Sequence, residues 1–365
     1  MRGLTRRHFL AAAGAAMAGT SEVRAQTTTD KTLVAAAKAK NLIYGAAVAT
    51  WQTDRDAILR RTFDRQCSTV VPEWEMKWGT IEATRGTRYY GGADRVVSFA
   101  ASHGLTCRGH AAIWHRNLPK WVDSAMRTEG IEVVAAHIRD LMAHYKGKIK
   151  SWDIVNEAIE PKDGKPDSLR NSPFLQRLGP DYIGRAFTIA AEADPNIQGF
   201  YNEYGLYHND STDQARRTAV LALLEKLKRD GVPVYGLGIQ GHLDMGRPFD
   251  ASVFSTFLRQ VSALGVKILI TELDIDDRSL TQTISERDRL VGERATKFLT
   301  AALSERAVEG VITWGLSDKY SWLNSSVYQK RSDGTMNRCL PYDENFQTKP
   351  FWYSLYYAFK SAPLR

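Results

Sequence analysis

Two glutamates, Glu157 and Glu272, each close a short apolar segment, in the runs Trp152-Asp153-Ile154-Val155-Asn156-Glu157 and Ile270-Thr271-Glu272-Leu273-Asp274. Two carboxyl groups are the minimum equipment for breaking a glycosidic bond. One, as an acid, protonates the leaving oxygen, and the other works as a carboxylate on the opposite face of the anomeric carbon. A separation of about 5–5.5 Å belongs to a retaining reaction through an ester intermediate, and about 6.5–9.5 Å to an inverting one. A single glutamate at a strand end is more often a surface or ion-pair residue. Here the company of the pair argues otherwise: Asn156 abuts Glu157, while Gln240, His242 and Asp274 are able to surround Glu272, with His242 and Asp274 orienting it and holding it ionised.

For residues so far apart in sequence to meet, the chain must bring its strand ends together. Short apolar segments at 42–48, 68–71, 105–113, 149–156, 198–202, 234–240, 267–271 and 310–314 alternate with segments of helical period. Strict alternation implies a parallel sheet, and eight strands imply a closed (β/α)8 TIM barrel rather than an open sheet. Strands four and seven then face each other across it. In one helical segment Ser211-x-x-Gln214 reads as a capping box, Val220, Leu223, Leu224 and Leu227 form one apolar face, and Gly231 and Pro233 stop the helix. No repeat or Pro/Ser-rich linker interrupts residues 40–360, so residues 26–365 are expected to form a single catalytic-size domain.

A parallel barrel presents reactive side chains at the carboxyl ends of its strands. Those ends carry Gly109-His110 with Trp114-His115, then Asn156-Glu157, Asn202-Glu203-Tyr204, Gln240 and His242, Glu272 and Asp274, and finally Trp314, with Asp318 and Trp322 beyond. Trp114, Trp314 and Trp322 would be core residues by default. At a rim, their flat faces suit pyranose rings.

Composition bounds the alternatives. Of 365 residues, 43% are hydrophobic and 25% charged, the profile of a globular protein with a core to fill. The start, Thr5-Arg6-Arg7-His8-Phe9-Leu10 followed by a weakly apolar Ala/Gly-rich run and Val23-Arg24-Ala25, reads as a twin-arginine export signal over residues 1–25. That run is too short and too Ala/Gly-rich to make a stable membrane anchor. The mature protein is thus expected in the periplasm or the medium, as a monomer. Loss of the signal removes four arginines and Glu22, taking the formal net charge from +8 to +5. The remaining basic residues are scattered and match no nucleic-acid-binding motif. Three cysteines, Cys67, Cys107 and Cys339, fit no metal pattern, and buried free thiols are expected, with one bridge possible.

Taken in order, Met76-Lys77-Trp78, Gly109-His110, Trp114-His115, Leu118-Pro119-x-Trp121, Trp152-Asp153-Ile154-Val155-Asn156-Glu157-Ala158, Gly238-Ile239-Gln240-Gly241-His242-Leu243, Thr271-Glu272-Leu273-Asp274-Ile275 and Trp314-Gly315-Leu316-Ser317-Asp318-x-x-Ser321-Trp322 resemble glycoside hydrolase family 10, the endo-β-1,4-xylanases. With Leu178-Gly179-Pro180-Asp181-Tyr182-Ile183 and Ala193-Asp194-Pro195 they span nearly all of residues 40–360. The resemblance implies a retaining endo-β-1,4-xylanase with Glu157 as acid/base and Glu272 as nucleophile. It further implies sugar binding by Glu73, Lys77, His110, Trp114, Asn156, Gln240, His242, Trp314 and Trp322, with Tyr204 also on the substrate side. His115, Asp153 and Asp274 would support these. It implies no metal or organic cofactor, and a polysaccharide as the partner.

Three departures bear on substrate. Trp74 follows Glu73 where the family usually has Asn, and Asn202-Glu203-Tyr204 replaces the usual Asn-Asp-Tyr. The loop 324–339 also differs from the common pattern. Another β-1,4-linked glucan or a decorated exopolysaccharide is therefore an alternative substrate. A carbohydrate-binding barrel without catalysis is the alternative outside the enzyme class.

Overall fold

The computed structural model describes residues 31–326 and 329–365; the expected export segment 1–25 lies outside them. Eight parallel strands, β1 (Ile43–Val48), β2 (Thr69–Pro72), β3 (Thr106–Gly109), β4 (Ile149–Asn156), β5 (Gln198–Glu203), β6 (Gly236–Ile239), β7 (Lys267–Asp276) and β8 (Val308–Thr313), pair in chain order. β8 also pairs with β1, so the sheet closes into a (β/α)8 TIM barrel. A helix follows each strand, from Ala57–Gln66 after β1 to Pro350–Ser361 after β8.

Boundaries depart from the sequence reading where the backbone does something irregular. The segment expected as one strand over 105–113 is β3 followed by a separate two-residue extension, Ile113–Trp114, pairing with β4. β7 runs five residues further than expected and pairs at its end with His242–Asp244. The helix Ser211–Arg229 is capped by Asp210, which accepts from the Asp213 N–H, rather than by Ser211. Its apolar face is as read, with Val220, Leu224 and Leu227 buried and Leu223 half-buried. Cys67, Cys107 and Cys339 are buried free thiols.

The apolar residues divide into a main core between strands and helices and a smaller cluster of Ala47, Val71, Phe200, Leu269, Ile312 and Trp314. The members of the smaller cluster come from β1, β2, β5, β7 and β8, with Trp314 just past β8, so this cluster fills the barrel's interior. The Arg108 guanidinium lies 4.9 Å from the Phe200 ring centre and makes a bidentate pair with Asp153, both side chains being at most 3% exposed. Removing one member of such a pair strands a buried charge at about 3–5 kcal/mol. Asp153 accepts as well from His110 Nδ1 at 2.9 Å, so this interior charge layer is the floor of whatever stands at the barrel's mouth.

Two glycines set how closely neighbours approach. A Cβ on Gly109 would fall 2.0 Å from Trp152 Cε3, and one on Gly238 would fall 2.2 Å from Asn202 Oδ1. Overpacking of this kind costs about 1–3 kcal/mol. Gly238→Ala is expected to lower the unfolding free energy by about that amount in urea titration, with activity falling too because Asn202 must move.

Candidate active site

Strand alternation alone would turn successive side chains to opposite faces. Both strands bearing the candidate glutamates break it. Between Ile270 and Leu273 β7 carries one residue more than β8 does between Val311 and Thr313, and between Asp153 and Val155 β4 carries one more than β5. Such bulges re-aim side chains. On β7 the result is that Thr271 and Glu272, adjacent in sequence, both reach the Asn202 amide inside the barrel, while Ile270 and Leu273 stay in the outer core. On β4, Ile154 and Val155 both pack outward, leaving Asp153 and Asn156 inside. Glu157 follows with φ 57°, a left-handed conformation that a non-glycine residue holds only when its surroundings fix it.

An open cleft of about 670 Å3 lies over these strand ends. It gathers Glu73, Lys77, His110, Trp114, Asn156, Glu157, Tyr204, Gln240, His242, Glu272, Asp274, Trp314 and Trp322, together with Trp74. Asp153 sits below the cleft as described. His115 lies outside it, in a small gap shared with Glu157, Phe174 and Tyr182. Burial, with Arg170 and Arg116 nearby, pushes the His115 imidazole down to about 3, so the ring stays neutral.

Glu272 is 5% exposed and has two polar holders: Asn202 Nδ2 donates to Oε1 at 2.7 Å, and His242 Nε2 stands 3.2 Å from Oε2. His242 Nδ1 is 2.8 Å from Asp274 Oδ1, and Trp322 Nε1 donates to Asp274 Oδ2 at 2.7 Å. Burial pulls the His242 imidazole down, but Asp274 and Glu272 outweigh it and raise it to about 10, so it is an imidazolium at neutral pH. Burial likewise pushes the Glu272 carboxyl up, and the His242 hydrogen bond with the His110 and His242 charges more than offsets this, holding it below the usual carboxylate range. Asp274 is raised by burial against the pull of His242 and Trp322.

Glu157 is 9% exposed, and Gln240 Nε2 donates to its Oε1 at 3.0 Å. Gln240 therefore serves Glu157, not Glu272 as the sequence suggested; only its backbone carbonyl meets Glu272, accepting from that residue's N–H at 2.8 Å. Asn202 was missed as a holder of Glu272, although its place at the end of β5 was the available signal. It also donates to Asn156 Oδ1 at 2.9 Å and accepts from Thr271 Oγ1 at 2.7 Å, tying the two glutamate strands together.

To one side, Lys77 Nζ lies 4.0 Å from the Trp74 ring centre and 4.7 Å from that of Trp114. Burial lowers the Lys77 ammonium, against the charges of Glu272 and Glu73. Burial raises the Glu73 carboxyl to about 7 despite Lys77, and Gln52 Nε2 donates to it at 3.2 Å. Trp114 Nε1 is buried without an acceptor among the described residues, and Trp314 packs edge-on to His110 at 5.4 Å. Trp74 is 49% exposed. This is a wall of indoles and neutralisable charges, suited to a polyhydroxylated ligand.

Comparison with known proteins places the chain in a family. The description "Glycosyl hydrolase family 10" matches residues 32–358. The chain belongs to glycosyl hydrolase family 10. Among family relatives, a β-1,4-xylanase of Dictyoglomus thermophilum is 34% identical over 78% of this chain and 80% of its own length. Endo-1,4-β-xylanase 1 of Humicola insolens is 32% identical over 88% of this chain and 72% of its own. The crystal structure of xylanase 10B from Thermotoga maritima superposes with a TM-score of 0.81 at 30% identity, covering 90% of this chain and 98% of that one. Xylanase 10B from Thermotoga petrophila, solved with xylobiose, gives 0.81 at 29% identity over 90% and 97%. The chain is thus a glycoside hydrolase on the barrel shared by those family 10 structures.

Replacing His242 tests the electrostatics. Glu272 is held low chiefly by the His242 hydrogen bond against burial, so His242→Gln raises its pKa and leaves less of it ionised in mild acid. The acidic limb of the kcat/KM profile on an aryl glycoside is expected to move to higher pH. Loss of one charge-assisted hydrogen bond, about 1.5–3 kcal/mol, corresponds to about 10- to 100-fold in kcat/KM.

Proposed function

We propose that the protein is a retaining endo-β-1,4-xylanase. The observation that carries this reading is the unequal treatment of two carboxyl groups in one cleft: Glu272 is kept ionised by His242 and Asn202, while Glu157 is held across from it by the neutral amide of Gln240. In the first step the Glu157 carboxyl gives its proton to the glycosidic oxygen, the sugar–oxygen bond breaks, and Glu272 forms an ester with the anomeric carbon. In the second, the Glu157 carboxylate takes a proton from water, whose oxygen attacks the same carbon and frees Glu272. Two inversions give net retention. Glu73, Lys77, His110, Asn156, Trp114, Trp314 and Trp322 would hold the sugars on the non-reducing side. Tyr204 lines the cleft beside Glu157 and would meet the sugar that leaves.

The xylanase names of the relatives support xylan as the polymer. Trp74 favours a second reading, the same chemistry on another β-1,4 glycan, because an indole stands where an amide would hydrogen-bond the second sugar; losing that bond is worth about 1–3 kcal/mol. Incubating residues 26–365 with xylohexaose, cellohexaose and mannohexaose separates the two. Internal cleavage of xylohexaose with kcat/KM at least about tenfold above the others supports xylan, since one extra substituent in a fitted pocket costs about that much. Equal or better cleavage of the hexose oligomers transfers the assignment to the second reading. Export through residues 1–25 belongs to the same proposal, supported by Arg6-Arg7 and the small-residue site at Val23-Arg24-Ala25.

A further inference from the structure

Behind Glu157, on the side away from the cleft, three consecutive backbone amides are each taken by one residue of β5. Glu157 N–H donates to Asn202 O at 2.9 Å, Ala158 N–H to the Tyr201 hydroxyl at 3.2 Å, and Ile159 N–H to Glu203 Oε2 at 3.1 Å. Tyr201 donates in turn to the same Glu203 oxygen at 2.5 Å. The other oxygen, Oε1, accepts from the Tyr204 N–H at 3.0 Å and stands 3.8 Å from the Arg216 guanidinium. Arg216 also donates to Ile159 O, and Arg170 Nε donates to Glu157 O at 2.7 Å. Glu203 and Tyr201 have no exposed surface, and neither lines the cleft.

The arrangement is asymmetric. β5 alternates its faces, so Asn202 points into the barrel to hold Glu272, while Tyr201 and Glu203 point outward to hold the backbone that carries Glu157. A buried carboxylate is a costly way to receive amides, and burial pushes the Glu203 carboxyl up to about 7 against the pull of Arg216. What it offers over an amide side chain is a second acceptor oxygen in place of an NH2 group, so that the Ile159 and Tyr204 amides and the Tyr201 hydroxyl are accepted at once, with Arg216 alongside. Among these donors the Ile159 amide lies two residues past Glu157, which stands at φ 57°.

We infer that Glu203 is a positioning residue for the acid/base: by receiving the Ile159 and Tyr204 amides and the Tyr201 hydroxyl, it fixes the left-handed turn that aims the Glu157 carboxyl at the leaving oxygen. The inference rests on the reading of Glu157 as the proton donor. Glu203→Gln turns one acceptor oxygen into an NH2 group and sets it against a donor in either amide orientation. The acid is then loosened while Glu272, held by Asn202 and His242, is left in place.

The test compares kcat/KM, which reports ester formation, on two xylobiosides with the same glycone. The dinitrophenyl compound has a leaving group that departs without a proton, whereas the phenyl compound needs one. Glu203→Gln is expected to stay within about threefold of the parent on the first and to fall about 10- to 100-fold on the second, within the range of general acid catalysis. Glu203→Asp, which keeps two acceptor oxygens, is expected to recover part of the loss, and Tyr201→Phe to show a smaller split of the same sign. Equal losses on both substrates, or no loss on either, would overturn the positioning role. Glu157→Gln, run alongside, separates the two readings: without a split in that variant the acid assignment itself fails, whereas a split there but not in Glu203→Gln sinks only the role of Glu203.

Discussion

The Glu272 carboxyl is only 5% exposed, yet it is held below the usual carboxylate range, and much of the barrel's mouth is arranged around it. Burial alone would push the carboxyl up. The imidazolium of His242 prevents this, and it is itself sustained by Asp274, which is anchored by the Trp322 indole. Trp322 thus couples the cleft wall to Glu272: a change in its position reaches that carboxyl through three hydrogen bonds. On the other oxygen, Asn202 is oriented by Thr271, and Gly238 is small because Asn202 lies against it. Below, the bidentate Arg108–Asp153 pair holds the ring of His110 through Asp153.

The second requirement is geometric. A regular β7 would send either Thr271 or Glu272 out of the barrel, and a regular β4 would not keep Asp153 and Asn156 inside together. One extra residue in each strand resolves both, at the level where the parallel ladder gives way to the active-site loops. Chemistry and architecture meet in these bulges, because the irregularity that interrupts strand pairing also sets the facing of the carboxyl groups.

The barrel was legible because its strands and helices alternate in hydrophobic period, and the site because acids, amides and indoles fall at strand ends. Less legible were features that depend on neighbours in space. Nothing in the run Thr271-Glu272 announces a bulge. Gln240 precedes His242 by two residues, so proximity in sequence suggested a shared partner, yet the two side chains serve different glutamates. Ser211 had the spacing of a capping residue, but Asp210, one position earlier, takes the amide. Asn202 and Glu203 are adjacent and look alike as polar strand-end residues, yet on opposite faces of β5 one donates to the Glu272 carboxyl and the other accepts from the Ile159 amide behind Glu157.

The central claim is that Glu272 forms the ester and Glu157 supplies and removes the proton. A 2-fluoro xylobioside with a dinitrophenolate leaving group slows the breakdown of the ester, so peptide mass mapping after brief incubation reads the attachment point directly. The account predicts stoichiometric labelling on the peptide containing Glu272, with the unmodified substrate releasing the β-anomer first. A label on Glu157 or Glu73, or first release of the α-anomer without any adduct, would contradict it.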